Sequence, residues 1–377
     1  MISCWFLLII VLFWKAKVLG RGKFNEDFLS LNLSKRIQGF CAVCIVMHHF
    51  VQQFVLYGDG IEALGIFSDI GFLFVGIFFF FSGYGLYKSY KIKPHYLNNF
   101  LKKRLPVVLV PLYIVNTILT VIVLTTGSKI YNDMNPLAIG MNSFLYKITT
   151  FLAITLMNSN AWYMITITMF YIVFYVAFKN YSNEERALKA ILVFSVIYAA
   201  VGIFSGFGFF WFQGEWWYNS SFLFIIGLYF AKHENAILIF IKEKYAVFLT
   251  GSVIGVIIMM KISIVLINTL SYYRPGIEGK VCSIICLIFQ TAAAITFVSA
   301  FLIITMKVRI NNPILDFLGR IGLEIYLVHR FFIVAFNSQV LTISNNELYL
   351  AVVYICSIIT AFVLHKIDNV IVKKIKI

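Results

Sequence analysis

The sequence predicts an all-α fold, a polytopic membrane helical bundle of about 10 transmembrane helices with an additional N-terminal anchor helix. Two observations carry the prediction. First, 61% of the 377 residues are hydrophobic and 12% are charged, a balance that a water-exposed surface could not carry. Second, the apolar residues come in blocks close to the 20 residues of a membrane-spanning helix. A transmembrane barrel would show short alternating segments instead.

The apolar blocks define the predicted helices in order. They lie at about 2–14, 39–57, 66–87, 106–126, 161–178, 190–210, 219–231, 246–268, 281–306, 321–337 and 348–365. The first block is short, and its lysines follow it, which is the reverse of the charge order in a cleaved signal peptide. We therefore expect an anchor helix and cytoplasmic linker at 1–32 and one membrane domain at 33–377.

The basic residues predict the orientation of the bundle. If the segment before residue 39 is cytoplasmic, the loops on that side hold basic clusters at 15–23, 35–36, 88–104, 179–189, 232–244, 307–320 and 366–376. To the other side we assign only Lys129, Arg274 and Lys280. This asymmetry follows the positive-inside rule. The net charge of +15 therefore reflects topology and anionic membrane lipid rather than a nucleic-acid partner, and it favours a multi-pass protein of the plasma or inner membrane.

The second block contains the stretch "QGFCAVCIVMHHFVQQF", in which polar side chains interrupt an apolar helix. At 100° and 1.5 Å per residue, Gln38 and His49 share a face about 16 Å apart, and Lys35 and Gln53 lie close to that face. His48 points about 100° away. We call Lys35, Gln38, His49 and Gln53 the polar stripe. Either a neighbouring helix satisfies the histidine, or His49 is a general base, a role that imidazole suits near neutral pH.

Two further segments carry cations and small residues. "FLKKRLPVVLVP" places Lys102, Lys103 and Arg104 before a proline expected in the first helical turn; they either reach lipid phosphate or bind a phosphate-bearing ligand. "GFLFVGIFFFFSGYGLYKSY" contains Ser82-Gly83 in an aromatic run, which favours close helix packing. Cysteines 41 and 44 resemble a redox pair but are expected to pack in the bundle, and the Cys/His spacing predicts no metal site.

The polar residues near the C-terminus are equally consistent with a functional site and with a structural network. "FLGRIGLEIYLVHRFF" places Glu324, His329 and Arg330 in an apolar span, where they are costly without partners. Arg320 is four residues from Glu324 and can pair with it. "NSNAWYM" places Trp162 and its neighbouring tyrosine where an interfacial aromatic belt is the ordinary expectation.

Taken in order, these segments resemble the acyltransferase-3 family of integral membrane O-acyltransferases. The matching elements are "QGFCAVCIVMHHF", "FFFFSGYGL", "FLKKRLPVVLVPLY", "AWYM" and "LGRIGLEIYLVH", which together run from about residue 33 to 337. Two positions depart from the family pattern. Gln38 stands where the family has a basic residue, and Val107 stands where it often has a second arginine. We expect Lys35, rather than Arg36, to supply the cation missing at Gln38.

The resemblance implies transfer of an acetyl group from cytosolic acetyl-CoA to a hydroxyl of a capsular or other cell-surface polysaccharide, or of its lipid-linked precursor. His49 would be the general base, and Glu324 or His329 would orient the acceptor or stabilise charge. The cations would hold the CoA phosphates, and further residues would line the substrate path. These are Lys35, Gln38, Lys102, Lys103 and Arg104 for the donor, and Gln53, Ser82, Tyr84 and Trp162 for the path. No metal is expected; the partners would be the sugar acceptor, membrane lipid and the polysaccharide-synthesis machinery.

Two alternatives come from other functional classes. A transporter or flippase that exports an oligosaccharide would also use a polar stripe, although the inverted repeats common in transporters are not evident in the sequence. A structural subunit of a synthase complex would make no use of the intramembrane histidine. The first alternative predicts export without acyl transfer, and the second predicts that His49 is replaceable.

Overall fold

The computed structural model describes residues 2–57, 64–132, 144–206, 211–270 and 276–376, and most of them are helical. The helices are α1 Ile2–Phe13, α2 Leu31–Tyr57, α3 Phe67–Ile92, α4 Phe100–Thr126, α5 Phe144–Phe151, α6 Trp162–Asn180, α7 Glu184–Phe204, α8 Phe222–Glu243, α9 Tyr245–Thr269, α10 Ile277–Thr305, α11 Pro313–Arg320, α12 Gly322–Ala335 and α13 Asn346–Lys376. Two short strands are β1 Ala16–Val18 and β2 Val308–Ile310. Arg274 and the last residues of the predicted 190–210 block lie outside the described residues.

The predicted all-α membrane bundle is confirmed, and each of the ten main apolar blocks corresponds to a helix. Eight helices in the described ranges are long and apolar enough to cross a membrane: α3, α4, α6, α7, α8, α9, α10 and α13. The other two predicted spans, α2 and α12, are less apolar or shorter and pack against each other and against α3, α4 and α13. The two helices that carry the predicted histidines therefore lie inside the bundle.

Helices α3 and α8 touch backbone to backbone. A Cβ atom on Gly83 would lie 2.0 Å from the carbonyl oxygen of Phe224, and one on Gly227 would lie 2.2 Å from the carbonyl oxygen of Phe80. No side chain fits at either position, so glycine is what allows the two helices to approach. The close contact predicted from Ser82-Gly83 is confirmed.

A second close approach joins α2 to α11. A Cβ on Gly39 would lie 2.6 Å from the backbone nitrogen of Gly319, and one on Gly319 would lie 2.2 Å from the carbonyl oxygen of Lys35. Helix α12 follows α11 directly, so this contact fixes where α12 enters the bundle beside α2.

Ion pairs connect the helix termini at one end of the bundle, which we call the basic end. They are Arg36–Asp316, Lys88–Glu234, Lys91–Glu184, Lys232–Glu185 and Lys242–Glu26. All ten residues belong to segments that the sequence predicts on the cytoplasmic side. These contacts therefore agree with the predicted assignment of the loops to the two sides of the membrane. Lys147 on α5 adds one cation to the opposite side, which the sequence argument had left out.

The segment between α1 and α2 is tied to the later part of the chain. Strands β1 and β2 pair antiparallel, with Lys17 opposite Arg309, and the Asn312 side chain donates to the carbonyl oxygen of Val11 at 2.5 Å. Three-residue strands are too short to show a period-2 pattern, so the sequence did not predict them. Helix α1 has 12 residues, fewer than a full span needs, and its role as an anchor stays a prediction.

Two local expectations were wrong. Helix α4 begins at Phe100, so Pro106 lies in its second turn rather than its first. The helical conformation is interrupted at Ile321 (φ −108°, ψ 11°), between α11 and α12. Because Arg320 and Glu324 are therefore not on one continuous helix, the predicted ion pair between them does not form.

Candidate active site

His49 of α2 and His329 of α12 face each other inside the bundle. Their rings are stacked, with centroids 5.2 Å apart and planes inclined by 22°. His329 is fully buried and His49 is partly exposed. The two residues are far apart in sequence, and the packing of α12 against α2 brings them together.

Hydrogen bonds define the tautomer of His49. Its Nδ1 lies 3.1 Å from Oε1 of Gln52, and the Gln52 amide nitrogen donates to the carbonyl oxygen of Ser68 at 3.5 Å. Because Gln52 directs its oxygen to the ring, Nδ1 of His49 carries the hydrogen as donor. Nε2 then carries the lone pair, which is the form that a general base requires.

His329 is held in the same tautomer by its own helix. Its Nδ1 lies 3.1 Å from the carbonyl oxygen of Ile325, one turn earlier. Nε2 is buried and has no hydrogen-bond partner among the described residues. Because buried polar atoms are nearly always hydrogen-bonded, this unpaired Nε2 lone pair indicates a place for a bound hydroxyl or water.

His48 faces a different helix, as the helical geometry predicts. Its Nδ1 lies 2.5 Å from the carbonyl oxygen of Phe67 on α3. Its ring covers Gly71, where a Cβ would lie 2.3 Å from the imidazole. The ring centroids of His48 and His49 are 4.6 Å apart, so the His48 ring packs between His49 and α3.

Amide and guanidinium groups surround the histidine pair. Arg330 donates to Oε1 of Gln53 at 3.3 Å, which joins the outer end of the polar stripe to α12. Tyr326, whose ring lies 6.1 Å from that of His329, donates to the carbonyl oxygen of Asn160. The Asn160 side-chain nitrogen is buried and has no partner in the described part of the chain. We call His49, His329, Gln53, Asn160 and Arg330 the histidine site.

Lys35 and Arg36 are adjacent at the basic end of the bundle but have different contacts. Arg36 makes two hydrogen bonds to the Asp316 carboxylate, at 2.6 and 3.0 Å, and one to the carbonyl oxygen of Ile310 at 2.6 Å. Lys35 is exposed, and no ion pair involves it in the described ranges. Gln38 is partly buried one turn further in. Arg36 therefore holds α2 to the β2–α11 segment, and Lys35 is available for a ligand.

Of the predicted donor-binding cations on α4, Arg104 contacts a groove at the basic end. Lys102 and Lys103 are exposed, and Arg104 donates to the Tyr96 hydroxyl at 2.8 Å. Tyr96 lines an open groove of about 580 Å³, formed by residues 90–98 and including Lys93 and His95. Cations and an aromatic ring thus line one concave surface.

The predicted path residues lie in two different places. The Tyr84 hydroxyl donates to Glu234 of α8 at 2.9 Å, and Lys88 lies 3.0 Å from the same carboxylate, so Tyr84 belongs to the basic end. Ser82, partly buried, lies half a turn from it on α3. The contacts of Tyr84 are with α8 and not with the histidine pair.

Trp162 is 5% exposed and its ring centroid lies 6.1 Å from that of Trp217. The aromatic-belt expectation for Trp162 and Tyr163 was therefore wrong, because both side chains are buried in the protein. Tyr163 in turn lies against Tyr326, with ring centroids 5.9 Å apart. Trp162 is thus connected to His329 through the rings of Tyr163 and Tyr326.

Glu324 and His329 share α12 but face different neighbours. The Glu324 carboxylate accepts a hydrogen bond from Nδ1 of His365 on α13 at 2.7 Å. The structure therefore places His329 with His49 and places Glu324 in a separate polar cluster. Sequence reasoning did not single out His365, because 41 residues separate it from Glu324.

The contacts of the histidine site also involve residues that the sequence reasoning missed. Gln52 is three residues after His49. Side chains with this spacing are neighbours on a helix, so the sequence could have predicted their contact. Asn160 had no comparable signal, because its place depends on how the turn before α6 packs on α12. Cys41 and Cys44, which were expected to pack, are free and buried.

A comparison with known protein families matches residues 36–366 to an acyltransferase domain. The chain belongs to the acyltransferase-3 family. The match covers α2 to most of α13 and includes the whole histidine site. Searches of curated proteins and of solved structures gave no significant match. As an acyltransferase-3 protein, the chain is a multi-pass membrane acyltransferase.

Proposed function

We propose that this acyltransferase moves an acetyl group from cytosolic acetyl-CoA to a hydroxyl of a cell-surface polysaccharide or its lipid-linked precursor. It would act in the plasma or inner membrane, beside the polysaccharide-synthesis machinery. The observation that carries the proposal is the pair of imidazoles whose Nδ1 atoms are both held as donors. Each therefore presents an Nε2 lone pair, and two such acceptors fit the neighbouring hydroxyl groups of a sugar.

His49 would start the reaction. Its Nε2 takes the proton of the acceptor hydroxyl, and the hydroxyl oxygen attacks the thioester carbonyl carbon. The carbon–sulfur bond then breaks, and the CoA thiolate leaves and takes the proton from His49. Removing the hydroxyl proton in this way contributes about 10²–10⁴-fold to such reactions, and Gln52 would keep His49 in the required tautomer.

The remaining groups of the histidine site have complementary roles in this proposal. His329 Nε2 would accept a hydrogen bond from a second hydroxyl and so orient the sugar. Negative charge develops on the carbonyl oxygen during attack, and preorganised donors lower its free energy in a site shielded from water. In this proposal the Asn160 amide nitrogen and the Arg330 guanidinium would be those donors.

The acetyl donor would enter from the basic end. The groove formed by residues 90–98 contains Lys93 and the Tyr96 ring, to which Arg104 bonds. In this proposal these cations, together with Lys102 and Lys103 on the same helix as Arg104, would bind the phosphates, and a nucleobase would stack on Tyr96. Lys35 would add a cation at the start of the polar stripe. From Lys35 the donor arm would have to reach about 21 Å along α2 to His49.

The proposal is tested by incubating membrane vesicles that contain the protein with acceptor glycan and radiolabelled acetyl-CoA. We expect label on the glycan and a new O-acetyl signal in its NMR spectrum, both dependent on the protein. Glycan that crosses the membrane without acquiring label would contradict acyl transfer to this acceptor and support the export alternative.

A matched pair of variants tests the donor entrance. Lys35→Ala should raise KM for acetyl-CoA about tenfold, the effect of losing one hydrogen bond between a cation and a phosphate. Arg36→Ala should leave KM nearly unchanged and lower the melting temperature, because it removes the contacts to Asp316 and Ile310. Steady-state kinetics and thermal unfolding in detergent measure the two effects, and the reverse pattern would show that Arg36 is the donor-binding cation.

A further inference from the structure

We propose that Glu324, His365 and Asp368 form a binding site for one divalent transition-metal ion between α12 and α13. Glu324 lies in the first turn of α12, and the other two lie near the end of α13. The cluster is separate from the histidine site, and the proposal does not depend on which acyl group or acceptor the enzyme uses.

The three side chains converge closely enough to share an ion. One ligand atom from each lies within 4.8 Å of the other two, and Oε1 of Glu324 is 2.7 Å from Nδ1 of His365. Nitrogen and oxygen ligands bind such ions at about 2.0–2.2 Å, so ligands on opposite sides are about 4 Å apart. Side-chain shifts of roughly 1 Å or less would bring all three atoms onto one ion.

A second carboxyl group, rather than an ordinary donor, faces Glu324. Glu324 Oε2 is buried and accepts no hydrogen bond from an amide, a hydroxyl or a cationic group in the described ranges, the Glu324 side chain is 6% exposed, and its polar neighbour is the Asp368 carboxyl group. Asp368 is also buried, at 4% exposure, and no ion pair to a lysine or arginine involves either carboxylate among the described residues. Two buried carboxyl groups side by side either share a proton or need a positive charge beside them, and in this proposal a bound cation takes the place of the shared proton.

The donor set selects the class of ion. One imidazole with two carboxylates suits Mn²⁺ or Zn²⁺, whereas Mg²⁺ and Ca²⁺ prefer oxygen ligands alone. The His365 side chain is 30% exposed, which leaves an entry path and room for water ligands. Mn²⁺ is therefore a suitable probe, and Zn²⁺ a suitable competitor.

The site would stabilise the helix that carries His329. Glu324 is five residues before His329 on α12, about 7.5 Å along the axis. An ion shared with two residues of α13 would hold α12 against α13 at that level. Metal binding should therefore stabilise the native arrangement of α12.

The test uses purified, chelator-treated protein in detergent and Mn²⁺ alone, with free Mn²⁺ measured by electron paramagnetic resonance. We expect one saturable site per chain, displaced by equimolar Zn²⁺ but not by equimolar Mg²⁺. Asp368→Asn and His365→Ala should each weaken Mn²⁺ binding at least tenfold. His95→Ala, which removes an exposed imidazole at the same end of the bundle, should leave it unchanged.

Thermal unfolding provides a second readout and a check on folding. Mn²⁺ should raise the melting temperature of the wild type and of His95→Ala, but not that of Asp368→Asn. Asp368→Asn keeps the side-chain size, and a single symmetric peak in size-exclusion chromatography would show that it folds; if it does not, His365→Gln takes its place. No saturable binding by the wild type, or equal binding by wild type and folded variant, would overturn the proposal.

Discussion

A His49→Ala chain should lose glycan O-acetylation by about 10²–10⁴-fold, the contribution of a well-placed general base. Nothing else in the histidine site replaces it on α2, because Gln52 and Gln53 are amides and cannot take up a proton at neutral pH. His49 is partly exposed, and its one side-chain hydrogen bond within the described ranges is to Gln52, so the variant should insert and fold normally. The measurement is labelled acetyl incorporation per unit of folded protein.

Two control variants separate base catalysis from packing. His48→Ala removes the adjacent imidazole, whose contacts are with Phe67 and Gly71 on α3, and should reduce acetylation far less. Gln52→Leu keeps the volume of the side chain but removes the acceptor for His49 Nδ1. It should lower kcat and shift the pH profile while KM for the donor stays the same. Full acetylation by His49→Ala would exclude the assigned role and favour a structural or transport function.

Gly83→Ala should destabilise the bundle by several kcal/mol, the second large effect we expect. The added Cβ would lie 2.0 Å from the Phe224 carbonyl oxygen, a distance that real Cβ atoms essentially never show. Both partners are helix backbone, so relief requires α3 and α8 to move apart. Overpacking alone costs about 1–3 kcal/mol, and separating the helices adds the loss of close contacts along their length. The melting temperature in detergent measures the effect.

The chain contains a matched control two residues away. At Gly85 a Cβ would meet nothing within 4 Å, and alanine is favoured over glycine in a helix by up to about 1 kcal/mol. Gly85→Ala should therefore leave the melting temperature unchanged or raise it, whereas Gly227→Ala should resemble Gly83→Ala. Equal melting temperatures for Gly83→Ala and Gly85→Ala would show that α3 and α8 are not in backbone contact.

The sequence was sufficient for features that depend on one helix at a time. Block length and composition predicted the spans, and the 100° rotation per residue placed His49 and Gln53 on one face and His48 on another. The observed contacts to α12 and to α3 agree with those directions. Ser82-Gly83 indicated a close helix contact because small residues in an otherwise aromatic run allow a neighbouring helix to approach.

Features that join distant segments were not predictable from a single sequence. The stacking of His49 on His329 and the Glu324–His365 hydrogen bond depend on how α2, α12 and α13 pack, which no local period encodes. The error at Arg320 has the same origin. A spacing of four predicts a pair only on a continuous helix, and the break at Ile321 separates the two side chains. The roles assigned to the site residues stay predictions until the variants are assayed.

The pairing of β1 with β2 has a consequence for biosynthesis. Lys307 also bonds to the carbonyl oxygen of Gly20, 287 residues earlier. At about 5–20 residues per second, the ribosome needs roughly 15–60 s to make the intervening chain. During that time the early segment has no partner, and α12, which carries His329, has not yet been made. The enzyme should therefore acquire activity only near the end of its synthesis, and nascent chains stalled before α12 should be inactive even when their first helices are already inserted.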